Sequence, residues 1–96
     1  MADLAILMQR CEDDTSRLLD RRAAVRLGKW RSHAAVSETA LIDYIKRLLR
    51  GDHRGNGWEL DQKGGLSLER IVLEQCPDLF SAEDLREARR TLGIAP

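Results

Sequence analysis

Ninety-six residues, 43% hydrophobic and 33% charged, make one globular domain with a single core and leave no room for a catalytic domain beside a separate substrate domain. No apolar run approaches the roughly 20 residues of a membrane span, and the opening stretch MADLAILMQRCEDD lacks the basic flank and small-residue cleavage site of a signal peptide, so a cytoplasmic chain with no membrane partner is expected. Sixteen Lys and Arg balance sixteen Asp and Glu, which excludes a binder held to nucleic acid by overall charge alone and equally an acidic mimic of it.

The first predicted element is a long amphipathic helix over residues 1–27. Leu4, Met8, Cys11, Thr15, Leu18, Arg22 and Val25 follow one another at alternating spacings of four and three, a helical stripe that Leu7 and Leu19 widen. Gly28 is expected to stop it, since glycine takes the left-handed conformation that ends helices without a side-chain penalty. The stripe has a second use, as a seam for a partner helix or for a homodimer through Leu4, Met8 and Leu18.

Three further helix starts share one device. In VSETAL from Val36, LSLERI from Leu66 and FSAEDL from Phe80, a serine takes the N-cap position and can accept a backbone N–H of the first turn. The preceding apolar residue can staple to a later one: Val36 to Leu41, Leu66 to Ile71, Phe80 to Leu85. These helices are expected to end at Gly51, Pro77 and Gly93. Between the second and third helices lies GDHRGNGWELDQKGG. Trp58 and Leu60 alternate with Glu59 and Asp61 as in a short strand, and Gly64 and Gly65 supply a hairpin turn. The fold class expected is therefore mostly α: one domain over 1–96, its residues 37–92 a small winged-helix-like body of about four helices with one short β-hairpin, preceded by the N-terminal helix.

Motifs for chemistry are sparse. The glycine cluster matches neither the G-x-x-x-x-G-K-[ST] phosphate loop nor the G-x-G-x-x-G dinucleotide fingerprint. Cys11, His33, His53 and Cys76 lack the short paired spacing of a zinc site, so no metal or cofactor is expected, and the two cysteines read as a reduced pair. No nucleophile stands beside a base and its orienter, and an enzyme is not expected.

Charge is unevenly placed. Residues 21–54 carry nine Lys and Arg against three acids, a balance of +6, while residues 1–20 and 55–96 each carry −3. Two basic groups follow. Lys46, Arg47, Arg50 and Arg54 close the second helix, with His53 among them. Arg86, Arg89 and Arg90 share one face of the last, where Glu83 and Glu87 stand three residues before Arg86 and Arg90 and can pair with them. Lys63 lies at the expected hairpin turn. Trp30, between Lys29 and Arg31, is a candidate stacking platform.

The run ALIDYIKRLLRGDHRGNGWELDQKGGLSLERIVLEQ followed by FSAEDLREARR resembles the N-terminal winged-helix lobe of the RNA 2′-phosphotransferase family over residues 40–90. LLRG, LDQKGG and LERIVLE stand where that family has a Leu-Leu-Arg-His-like run, a Leu-Asp-x-x-Gly-Trp turn and a helix. The family's catalytic Arg-His pair would fall on Arg50 and Gly51, Gly65 takes the place of its Trp, and the NAD-binding second lobe has no counterpart. The resemblance thus implies an RNA-directed lobe without the reaction. Two functions are expected from these readings: a non-catalytic nucleic-acid-binding module, for RNA or DNA, that uses the basic middle, or a protein-interaction module (adaptor, assembly subunit or inhibitor) that uses the N-terminal helix.

Overall fold

A computed structural model describes residues 3–52 and 54–94, with the side chains of all but 52, 54 and 55. Every element among them is helical. The chain runs through α1 (Leu4–Leu18), α2 (Arg21–Leu27), α3 (Trp30–Val36), α4 (Glu38–Arg47), α5 (Arg54–Gln62), α6 (Leu68–Arg70) and α7 (Ala82–Leu92). α4 continues into a π-helical turn, Leu48–Asp52, and α6 into another, Ile71–Gln75, before a 3-10 turn at Pro77–Leu79.

The three serine caps form as expected. The Ala40 amide donates to Ser37 Oγ (3.0 Å) and the Arg70 amide to Ser67 Oγ (3.2 Å). Ser81 makes a full capping box with Asp84, whose carboxylate also accepts the Ser81 amide (3.2 Å). The Ser37 cap works without a staple, because Val36 is 79% exposed.

Two expectations are overturned. The long helix over 1–27 is two helices with a break at Leu19 and Asp20. There Asp20 accepts the Arg22 amide (2.9 Å) and caps a new helix, an alternative that a short acidic side chain offers the backbone. The stripe accordingly ends in α1, and α2 buries Ala23, Ala24 and Leu27 while Val25 lies outside. Gly28 is not left-handed (φ −64°). It still ends the helix, as the C-cap of α2 whose amide donates to the Ala24 carbonyl (2.8 Å), and it allows a close approach: a Cβ there would meet Glu12 Oε2 at 2.7 Å.

The expected β-hairpin is also absent, so the domain has no wing and is not winged-helix-like. Trp58 to Asp61 lie in α5, which buries Gly57 and Leu60 and exposes Trp58 and Glu59. Gly64, at φ 81°, ends this helix: its amide reaches the Asp61 carbonyl and the Gly65 amide the Leu60 carbonyl, two bonds that satisfy orphan acceptors of the last turn. Tertiary packing overrides the low helix propensity of glycine here. Gly57 faces Glu69 so closely that a Cβ would lie 2.1 Å from its Oε1.

One apolar cluster extends from Leu4 to Ala88, with Met8, Ile45, Leu60 and Ile71 among its fully enclosed members. α1 packs on α2, α3 and α5, and α7 closes the other side against α5, α6 and the two π turns. Inside sits Glu69, wholly buried, with no hydrogen-bond partner for either carboxylate oxygen among the described residues. Burial, supplemented by the negative charge of Asp61, pushes its carboxyl up from 4.5 to about 7. Burial, then Glu69, pushes the neighbouring Cys11 thiol up to about 12. Both cysteines are free, and no helix among the described residues is long and apolar enough to cross a membrane.

Candidate nucleic-acid interface

The break at Asp20 brings a basic helix to the surface. α2 begins Arg21-Arg22, and both side chains are exposed together with Arg26 and the following Lys29. None of these four has an ion-pair partner among the described residues. α4 supplies Lys46 and Arg47, in an open depression that His33, Asp43 and Arg50 also line.

Tyr44 joins the two helices. Its Oη donates to the Arg26 carbonyl at the end of α2 (2.7 Å). Its ring stacks on His33 of α3 at 4.6 Å between centroids, and the Arg47 guanidinium stands 5.7 Å from the ring centre. Such a cation held over an aromatic face is positioned without being neutralised. Arg26, Lys29, His33 and Arg47 are thereby gathered around a single buried ring, and Lys46 lines the neighbouring depression with His33 and Arg47.

Other residues expected in the interface have different duties. Arg50 is 61% exposed and pairs with the buried Asp84 (3.4 Å), which ties it to the start of α7. Lys63 donates to the Leu18 carbonyl (3.2 Å) and pairs with Glu59 (3.4 Å), so it caps α1. Arg90 pairs with Glu87 (3.3 Å), as its spacing suggested. Arg86 is exposed and Arg89 half-buried on the same helix. The side chain of Arg54, and His53 altogether, lie outside the described residues.

Two groups of candidates are corrected by burial. Trp30 is 6% exposed and cannot serve as a stacking platform; its Nε1–H donates to Glu12 Oε2 (3.1 Å). Arg31 pairs with the same carboxylate and lies 5.5 Å from the indole centre, so Glu12, Trp30 and Arg31 form a clamp between α1 and α3. Leu4 and Met8, the proposed partner-helix contacts, are 6% and 0% exposed, and Leu18 is half-buried against the same core. The stripe is used inside the molecule.

The residues missed by sequence reasoning are Arg21, Arg22 and Arg26. Their signal was the charge excess of residues 21–54 together with Asp20 standing as a cap immediately before a basic run. Among the described residues no three His, Cys, Asp or Glu side chains gather as for a metal ion. Comparison with known proteins finds no matching family model, no matching curated protein and no matching solved structure.

Proposed function

We propose that this chain is a non-catalytic module that binds nucleic acid through the basic face assembled by α2, α3 and α4. The observation that carries this reading is the gathering of Arg26, Lys29 and Arg47 around Tyr44, with Lys46 beside Arg47 and with Arg21 and Arg22 on the same helix as Arg26. Exposed cations without acidic partners are what phosphate contacts require, and residues from two helices fix an orientation that one helix alone would not. Zero net charge is compatible with this, since what a strand feels at contact range is the local excess: at ordinary ionic strength charges beyond about 8–10 Å are screened.

The test is fluorescence anisotropy with duplex RNA, duplex DNA and single-stranded RNA at two salt concentrations. Binding should weaken steeply with salt, and each phosphate contact removed should flatten the log–log slope by about 0.9 on a duplex. The Arg22→Gln, Arg26→Gln, Arg47→Gln triple variant should therefore lose both affinity and salt dependence. Unchanged binding by that variant would remove this face from consideration, and no binding of any strand at low salt would sink the reading itself.

A further inference from the structure

Between α2, α4 and α5 lies a pocket of about 120 Å³, lined by Arg26, Leu27, Lys29, Tyr44, Leu48 and Asn56 together with Ala23. Its size restricts the occupant. Pockets for whole small-molecule ligands start near 300 Å³. A nucleoside is too large, and a single tetrahedral oxyanion fits.

The lining favours one charge. Among the described lining residues there is no acid, while there are two cations and a side-chain amide. Neither Arg26 nor Lys29 has an ion-pair partner among the described residues. The pocket abuts the carboxyl end of α2, where free carbonyls would ordinarily repel an anion. Here the Arg26 carbonyl accepts both Tyr44 Oη (2.7 Å) and the Lys29 amide (3.4 Å), so its lone pairs are engaged. The floor of Leu27 and Leu48 lowers the local dielectric and strengthens attraction to whatever charge the rim admits.

We propose that this pocket binds the phosphate at the end of a nucleic-acid strand, held between Arg26 and Lys29 and hydrogen-bonded by the Asn56 side chain. A terminal phosphomonoester carries a charge of about −1.5 to −2 at neutral pH, more than the single charge of an internal diester. A small pocket also admits a strand end, where a continuing strand would have to enter and leave again. The proposal rests on the nucleic-acid reading for the source of the phosphate.

The experiment compares duplexes of one sequence bearing a 5′-phosphate, a 3′-phosphate or only hydroxyls, titrated into the full chain at fixed salt. Inorganic phosphate is titrated in parallel while the amide resonances of residues 26–29 and 56 are followed by NMR. A phosphorylated end should improve affinity about tenfold, the effect of one or two charge-assisted hydrogen bonds. Lys29→Gln and Asn56→Leu should erase that preference and the phosphate-induced shifts; Lys29 is exposed, so its replacement leaves the core intact. Equal affinity for phosphorylated and unphosphorylated duplexes overturns the strand-end assignment while leaving the basic face as a binding surface. Shifts with inorganic phosphate but no binding of any duplex also overturn it, and place the failure in the nucleic-acid reading.

Discussion

Relative to the wild type, replacing Glu69 by glutamine should add stability progressively as pH rises from 5 to 8. The wild-type carboxyl is 0% exposed, neither oxygen has a partner among the described residues, and burial holds its pKa at about 7 against 4.5 for the free group. Because the folded state binds this proton more tightly than the unfolded one, stability falls as pH rises from 4.5 to about 7 and is level above that. At about 1.4 kcal/mol per pH unit, the loss amounts to about 3 kcal/mol, a large share of the 5–15 kcal/mol by which domains are stable. Glutamine is nearly isosteric and cannot ionise, so Glu69→Gln should remove that slope. Urea unfolding followed by circular dichroism at pH 5, 6, 7 and 8 measures the difference between the two proteins, and other titrating groups cancel in that difference. A gap that stays constant across the series would refute the reasoning, since it would mean that Glu69 does not change protonation on unfolding.

Three further outcomes are expected. Gly57→Ala should destabilise by about 1–3 kcal/mol despite alanine's higher helix propensity, because its Cβ would lie 2.1 Å from Glu69 Oε1; in the Glu69→Ala background the same change should be harmless, a non-additivity that a double-mutant cycle reads directly. Asp20→Ala should cost about 1 kcal/mol in thermal unfolding by removing the cap of α2, and should weaken nucleic-acid binding more than its distance from the pocket suggests, since α2 carries Arg21, Arg22 and Arg26. Asp14→Asn should cost about 1–2 kcal/mol at pH 7. Burial raises that carboxyl, but the Leu66 amide (2.8 Å) and Arg17 (3.1 Å) outweigh it and hold the pKa below 3.8; the stability it gives is present above that value and lost as pH falls through the folded pKa, so the deficit should shrink in strongly acidic unfolding experiments.

Local signals were read well where the physics is local. Ser37, Ser67 and Ser81 mark helix starts because a cap needs only its own first turn. The α1 stripe of Leu4, Met8 and Cys11 is buried as its spacing requires. The failures have long-range causes. Gly57 and its neighbours look like loop or hairpin residues until Glu69, twelve positions later, is seen to require the missing side chain. Gly28 does end a helix, but in the right-handed conformation, and the reason no side chain stands there is Glu12 on α1. The break after α1 was concealed because Arg22 and Val25 continue a helical period by chance, whereas Ala23, Ala24 and Leu27 are the residues that α2 buries. Of the proposed interface, Lys46 and Arg47 were legible as a basic helix end. The contribution of α2 was not, because it depends on a chain reversal that no period in the sequence records.

Tyr44 makes the charged surface conditional on the fold. The ring that positions Arg47 also bonds the end of α2 and is itself buried, so the cations of α2 and α4 lie side by side only while those helices are docked. A polyanion laid across both is then a tertiary restraint: it bridges two segments that the chain joins only through α3, and its binding energy adds to the resistance of that junction to opening. The melting temperature should therefore rise with polyanion concentration, and hydrogen exchange should slow first at the amides of α2, the short helix that the bridge clasps.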